Sequence, residues 1–144
     1  PQVLNYLGYS WLKYDINIDK AASMILEAYE KEPNDGVIID SLGWVYFKTG
    51  DYKNAIVYLE KASELNPQNA VISDHLGDAY WLGGRKNEAI FQWKRALKQE
   101  EDNEDLNLKS VRNKIENGLD QSNILTLKDE QLYQNLQELE NITN

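Results

Sequence analysis

The chain has 144 residues with 24 acidic and 15 basic side chains, no cysteine and a formal net charge of −9. That length suits one domain with a continuous core, the missing cysteine excludes disulfides and thiol catalysis, and no apolar run approaches the roughly 20 residues that a membrane-spanning helix needs. The acidity is uneven: residues 1–99 carry a net −2 and residues 100–144 a net −7, which argues against nucleic acid or an anionic membrane surface as partner.

In chain order, the apolar spacing predicts helices over 3–15, 20–32, 36–49, 53–65, 70–83 and 87–99. Leu7-Gly8, Leu42-Gly43 and Leu76-Gly77 recur at intervals of 35 and 34 residues, each followed three positions after the glycine by an aromatic, Trp11, Tyr46 or Tyr80. Ala55 and Ala62, and again Ala89 and Ala96, mark the second helix of a pair. Thr49-Gly50-Asp51 and Gly83-Gly84-Arg85 break the helical pattern inside a pair, with Asp51 placed to cap the next helix. Pro33 and Pro67 end second helices. A glycine at the crossing lets the two helices approach closely, with Ala55 and Ala62 as the matching small surface. Each pair leaves an apolar face it cannot bury alone, so the pairs must stack.

The central copy, Ile39-x2-Leu42-Gly43-x2-Tyr46, then Ala55-x3-Leu59-x2-Ala62, then Pro67, resembles the tetratricopeptide repeat (TPR). The third copy keeps Ala89-x3-Trp93-x2-Ala96 but has Glu101 in place of the closing proline; the first carries Ala21-x3-Ile25-x2-Ala28 and Pro33, with one extra residue in the turn between Asp15 and Asp19. The resemblance covers residues 1 to about 101 and implies an all-α right-handed solenoid of three repeats, about 1–34, 35–68 and 69–101. Leu4 to Ser10, Asp40 to Tyr46 and His75 to Asp78 further resemble the C-terminal repeats of long bacterial TPR proteins, several of them envelope-associated scaffolding lipoproteins. Lysine outnumbers arginine 12 to 3, which with the many Asn and Ile suits an AT-rich bacterial genome; cytoplasm and periplasm both remain open. The chain opens at Pro1 inside a repeat, and the expectation is a fragment or a processed product.

After the repeats, residues 102–119 read as an acidic bridge and a capping helix near 104–117, built on Leu106, Leu108, Val111, Ile115 and Leu119 and stopped at Gly118. The run Glu100 to Asp105 reads as a solvated linker. Residues 120–144 read as a loop and an amphipathic tail helix near 128–141, on Leu132, Leu136, Leu139 and Ile142. That tail has three placements open to it: on the cap, which leads, in the groove, or as a segment that awaits a partner.

The functional surface is expected on the inner face of the first helices: Asn5, Tyr9 and Lys13, then Val37, Asp40, Ser41, Trp44 and Lys48, then Val71, Asp74, His75, Asp78 and Trp81. Exposed tryptophans among carboxylates suit a neutral-to-basic protein segment with apolar anchors; the alternative for the tryptophans is filling gaps between adjacent first helices. One TPR subgroup clamps a C-terminal carboxylate with lysines, asparagines and an arginine. This sequence places Asp40, Asp74 and Asp78 there, with Asn5 the one partial match, which argues against an acidic-tail ligand.

Chemistry has little to work with. One histidine cannot make the usual imidazole-rich metal site, even with Asp40, Asp74 and Asp78 in reach, and Ser41 with His75 and an aspartate lacks an oxyanion hole. No catalytic residue, cofactor or metal is expected. The leading expectation is a non-enzymatic adaptor that takes a protein segment in the groove; the alternative is a structural role, as the capped end of a longer solenoid that associates through its tail or convex face. Oligomeric state is left open.

Overall fold

The computed structural model describes residues 1–99, 106–121 and 123–143, with the backbone path alone for 140–143. The acidic run 100–105 therefore lies outside the described residues. The described residues form helices and connecting loops with no strand: α1 Gln2–Lys13, α2 Ile18–Lys31, α3 Gly36–Lys48, α4 Tyr52–Leu65, α5 Ala70–Leu82, α6 Lys86–Lys98, α7 Leu108–Asn117 and α8 Glu130–Thr143. The first six lie within two residues of the expected spans.

Local chemistry sets these bounds. The Asp35 carboxylate accepts from the N–H groups of Val37 and Ile38 at 2.9 and 3.2 Å, Asp51 from Asn54 N–H at 3.2 Å, and Asn69 from Ile72 N–H at 3.2 Å. Each satisfies a backbone donor that the first helical turn leaves without a partner. Gly50 and Gly84 close the intra-pair turns at φ of +85° and +87°, a region that side chains disfavour.

α1–α2, α3–α4 and α5–α6 are the three antiparallel pairs, stacked α2 to α3 and α4 to α5, and the first helices stand side by side, α1 with α3 and α3 with α5. A continuous core runs through them from Leu12 and Ile25 through Leu42 and Leu59 to Leu76 and Trp93. The glycines do mark the crossings, where they meet the large residue between the alanines and, at Gly8 and Gly77, the carbonyl of the first alanine, Ala21 or Ala89. A Cβ at Gly43 would stand 2.8 Å from Leu59 Cγ, one at Gly8 2.9 Å from Ile25 Cγ1, and one at Gly77 2.5 Å from Trp93 Cδ1. Opposite Gly43 the nearest atoms are those of Leu59, which stands between the buried Ala55 and Ala62. Gly43→Leu should overpack this crossing and lower stability by about 1–3 kcal/mol; an unchanged denaturation midpoint would contradict the close crossing.

α7 packs on α6 and ends at Gly118, whose φ of +76° brings its Cα against the Trp81 ring. The tail then takes a route that replaces the leading expectation of a helix resting on the cap. From Gly118 against Trp81 it passes Gly50, which Ile124 abuts, and donates Leu125 N–H to the Lys48 carbonyl at 2.8 Å. It reaches the start of α2, where the Asp19 carboxylate accepts from Lys128 N–H at 2.8 Å and Asp129 N–H at 3.2 Å. α8 then buries Leu132 and Leu136, and the Tyr46 hydroxyl donates to the Leu136 carbonyl at 2.9 Å. The tail is a strap along the row of intra-pair turns, running from the third repeat back to the first. Those turns offer backbone carbonyls and a capping carboxylate, which an extended segment can satisfy.

Candidate functional site

Because the first helices stand side by side, the length of α1, the N-terminal halves of α3 and α5 and the caps Asp35 and Asn69 line an open groove cavity of about 570 Å3. Of the expected groove residues, Asn5, Tyr9, Lys13, Val37, Asp40, Ser41 and Val71 line it. Trp44, Lys48, Asp74, His75, Asp78 and Trp81 do not. Sequence reasoning missed Gln2, Tyr6, Ser10, Tyr14, Asp35, Asn69 and Ile72 in the same wall. Tyr6, Ser10 and Tyr14 fall one position after Asn5, Tyr9 and Lys13, so a wider stripe on α1 would have found them; Asp35 and Asn69 enter the wall as the caps of α3 and α5.

The floor of the groove is an aromatic and ionic cluster that ties all three first helices together. His75 Nδ1 lies 2.9 Å from Asp40 Oδ1, and its Nε2 lies 3.2 Å from the Tyr9 hydroxyl. With the Nδ1–H donated to Asp40, a neutral imidazole accepts from Tyr9, and a charged one donates to it. Trp44 stacks on this imidazole with centroids 4.0 Å apart and on Phe47 at 4.3 Å. Trp44 therefore fills the space between first helices, as the alternative reading of the tryptophans had it.

Asp74 and Asp78 are likewise occupied. Lys114 of α7 inserts its ammonium between them and donates to Asp74 Oδ1 at 2.7 Å and to Asp78 Oδ1 at 2.8 Å, while the Trp93 indole N–H donates to the same Asp78 oxygen at 2.9 Å. Trp81 packs beside Trp93, with Lys86 over its ring and Gly118 against it. The expectation that Asp40, Asp74 and Asp78 hold free carboxylates for a cationic ligand is thus corrected: each carboxylate has an in-chain cationic or imidazole partner. Lys48 pairs with Asp15 at 2.7 Å across the turn of the first repeat.

Burial by itself pushes the His75 pKa down, but the adjoining Asp40 carboxylate, with Asp74 and Asp78 behind it, outweighs this and holds it above its ordinary 6.5. Burial, and then the Asp74 charge, push Asp78 up to about 6 against the pull of Lys114 and His75. Both raised values mean that the folded state holds protons the unfolded chain has released. The His75 contribution is complete below 6.5 and is lost as pH climbs through its folded value; that of Asp78 fades from about 4 to beyond 6. Urea unfolding should show higher stability at pH 5 than at pH 8, and His75→Gln should flatten that slope. Stability that rises over this interval would contradict the assignment.

Asp40, His75 and Tyr9 form a closed hydrogen-bonded chain, and Ser41 Oγ donates to the Val37 carbonyl at 3.3 Å, so the serine is held by its own helix. Among the described residues two buried side-chain acceptors have no hydrogen-bond partner, Asn5 Oδ1 in the cavity wall and Gln92 Oε1 on α6, an arrangement that costs stability unless a donor arrives.

Comparison with known proteins agrees with this architecture. The tetratricopeptide repeat family model matches residues 41–69. A TPR repeat-containing protein of Pseudomonas aeruginosa is 36% identical over 59 residues, 41% of this chain and 10% of that protein; the match thus spans about a tenth of the relative's length. Among solved structures, the first TPR of Spaghetti (RPAP3) bound to HSP90 peptide SRMEEVD has a TM-score of 0.65 at 18% identity, covering 94% of this chain and 92% of that one. The first TPR domain of human RPAP3 gives 0.65 at 19% identity over 97% and 94% of the two chains. The MamA protein gives 0.55 at 22% identity, covering 84% of this chain and 60% of that one. Three Leu-Gly copies at TPR spacing, glycine crossings under residues 25, 59 and 93, and these matches lead to one conclusion: the chain is an all-α solenoid of the tetratricopeptide-repeat fold, and its central repeat matches that family.

Proposed function

We propose that this chain is a non-enzymatic interaction module that takes an extended, predominantly neutral protein segment in the cavity between α1, α3 and α5. The supporting observation is the Asn5 oxygen, an acceptor without a partner in a wall that also offers Tyr6, Tyr14 and Val37 as exposed apolar surface. An extended peptide brings backbone N–H groups, and one of them would satisfy Asn5 as its side chains settle on the tyrosines. The three aspartates of the sequence reading are engaged within the chain, so a basic ligand gains little from them. An acidic tail such as the SRMEEVD peptide of the RPAP3 neighbour finds Lys13 as the cation of this wall and Asp35 opposing it.

Titration of a labelled peptide panel tests this. Neutral peptides with one or two bulky apolar residues should bind with a shallow salt dependence, since no exposed ion pair dominates. Tyr6→Ala and Asn5→Ala should each weaken binding about tenfold, equivalent to about 1.4 kcal/mol. A preference for acidic peptides, or binding indifferent to both substitutions, would overturn the reading. Loss of a co-purifying partner on truncation after Leu119, with the cavity variants unaffected, would assign association to the tail instead.

A further inference from the structure

The tail crosses the C-terminal ends of all three first helices. Gly118 lies against Trp81 near the end of α5, Leu125 N–H donates to the carbonyl of Lys48, the last residue of α3, and the N–H groups of Lys128 and Asp129 reach Asp19 in the first turn of α2. Lys48 is engaged from two sides. Its ammonium also meets Asp15 at 2.7 Å, and Asp15 follows directly on Lys13 and Tyr14 of the cavity wall. The strap and the Lys48–Asp15 pair therefore fix the C-terminal end of α1 to that of α3.

The hold is specific but light. The Tyr46 hydroxyl donates to the Leu136 carbonyl, whereas the matching Tyr80 hydroxyl one repeat on donates to Glu60 of α4; the residue at that register of α2 is Leu26, so α8 brings an acceptor that α2 does not carry there. Yet among the described side chains from Gly118 to Leu139, Leu132 and Leu136 alone are buried, and Ile124 is 49% exposed even where it abuts Gly50. A cavity of about 460 Å3 remains beneath the strap, between Tyr46, Thr49 and Asp51 on one side and Thr126, Leu127 and Gln137 on the other. A segment with few buried apolar contacts and exposed backbone hydrogen bonds opens far more readily than the whole domain unfolds.

We infer that the tail is a regulatory clamp on the groove: docked across the turns, it holds α1 at the spacing from α3 and α5 that receives a protein segment, and lifting α8 lets α1 swing and the segment go. The inference rests on the cavity reading for what is bound, but the clamp itself lies outside the cavity wall, which Asp19, Lys48, Gly50, Leu132 and Leu136 do not line. A pre-set spacing favours the ligand by removing ordering that binding would otherwise require. Coupling between two sites is reciprocal, so a ligand that gains from the docked strap holds the strap down by the same factor. A partner that takes Leu132 and Leu136 from their seat thereby empties the groove.

The full chain is compared with Asp19→Ala, with Asp19→Ala/Leu136→Ala, and with Gln134→Ala on the exposed side of α8 as a control. Because the sequence has no cysteine, spin labels at Ser23→Cys and Lys94→Cys, exposed sites on α2 and α6, report the span from first to third repeat without interference. The distance distribution should broaden in Asp19→Ala/Leu136→Ala, less so in Asp19→Ala, and stay narrow in the control. A fluorescein-labelled peptide of Gly and Ser with one Leu and one Phe should bind about tenfold more weakly to the double variant, and at saturation should slow exchange of the Leu125 and Lys128 amides in the parent by about the same factor. Distances that stay narrow while the Leu125 amide exchanges freely would overturn the inference, as would a Leu125 amide that remains protected in both variants. So would peptide affinity indifferent to the strap although Tyr6→Ala weakens it, a result that leaves the cavity reading intact. If the distances broaden but no peptide binds, the hold of the strap on α1 stands and the cavity reading fails.

Discussion

Lys114→Met should be among the most damaging single substitutions in the chain, lowering stability by about 3–5 kcal/mol near pH 8. The ammonium is buried where α7 meets α5, bridging Asp74 and Asp78, so its removal leaves two carboxylates close together with little solvent to stabilise them. Methionine keeps much of the volume, so the loss reports charge rather than packing. Asp78 is already pushed up to about 6 by burial and by Asp74; without Lys114 it should take up a proton more readily still. The defect should therefore shrink at pH 5, and Lys114→Met/Asp78→Asn should recover part of the loss at pH 8. Chemical denaturation of the two variants at both pH values checks this. A loss below about 1 kcal/mol at pH 8 would show that solvent, rather than Lys114, balances the two aspartates.

The same lysine shows where the sequence was legible and where it was not. Local signals were direct: the Leu-Gly motif with its aromatic three residues on, the cap at Asp51 and the stop at Gly118 each depend on residues within a few positions of one another. They settle helix bounds and pair stacking. Lys114 sits on an amphipathic helix whose pattern assigns it to solvent, and nothing nearby in sequence reveals that it reaches Asp74, 40 residues earlier. The groove was misjudged for the same reason. Asp40, Asp74, Asp78, Trp44 and Trp81 were read as groove residues, but of these only Asp40 lines the cavity, and their partners His75, Lys114, Phe47 and Gly118 come from other elements or from a neighbouring turn. A residue type on a face says what could bind there; whether the chain itself already fills that place is a tertiary fact. The tail carries the same lesson, since its anchors at Lys48, Asp19 and Tyr46 are backbone and capping groups with no sequence pattern of their own.

The third repeat holds the test of how far a single side chain can be exchanged in this fold. Where the central copy has Leu59, the third has Trp93, the largest fully buried side chain, with its indole N–H donated to Asp78 and its ring under Gly77. Trp93→Ala should cost about 3–5 kcal/mol through the cavity it leaves, and it also removes one of the hydrogen bonds to Asp78. Gly77→Ala should cost about 1–3 kcal/mol in the parent, because the new methyl would stand 2.5 Å from Trp93 Cδ1 and the ring, fixed by Asp78, cannot retreat. With the ring gone, that methyl enters vacated space, and the nearest remaining neighbour is the Ala89 carbonyl oxygen at 3.1 Å. The two changes should therefore be coupled. The double variant should be more stable than the sum of the single losses by at least about 1 kcal/mol, well outside the additivity of independent sites. Urea unfolding of the four proteins in the cycle measures this directly. Strict additivity would mean that Gly77 is small for a reason other than the tryptophan beneath it.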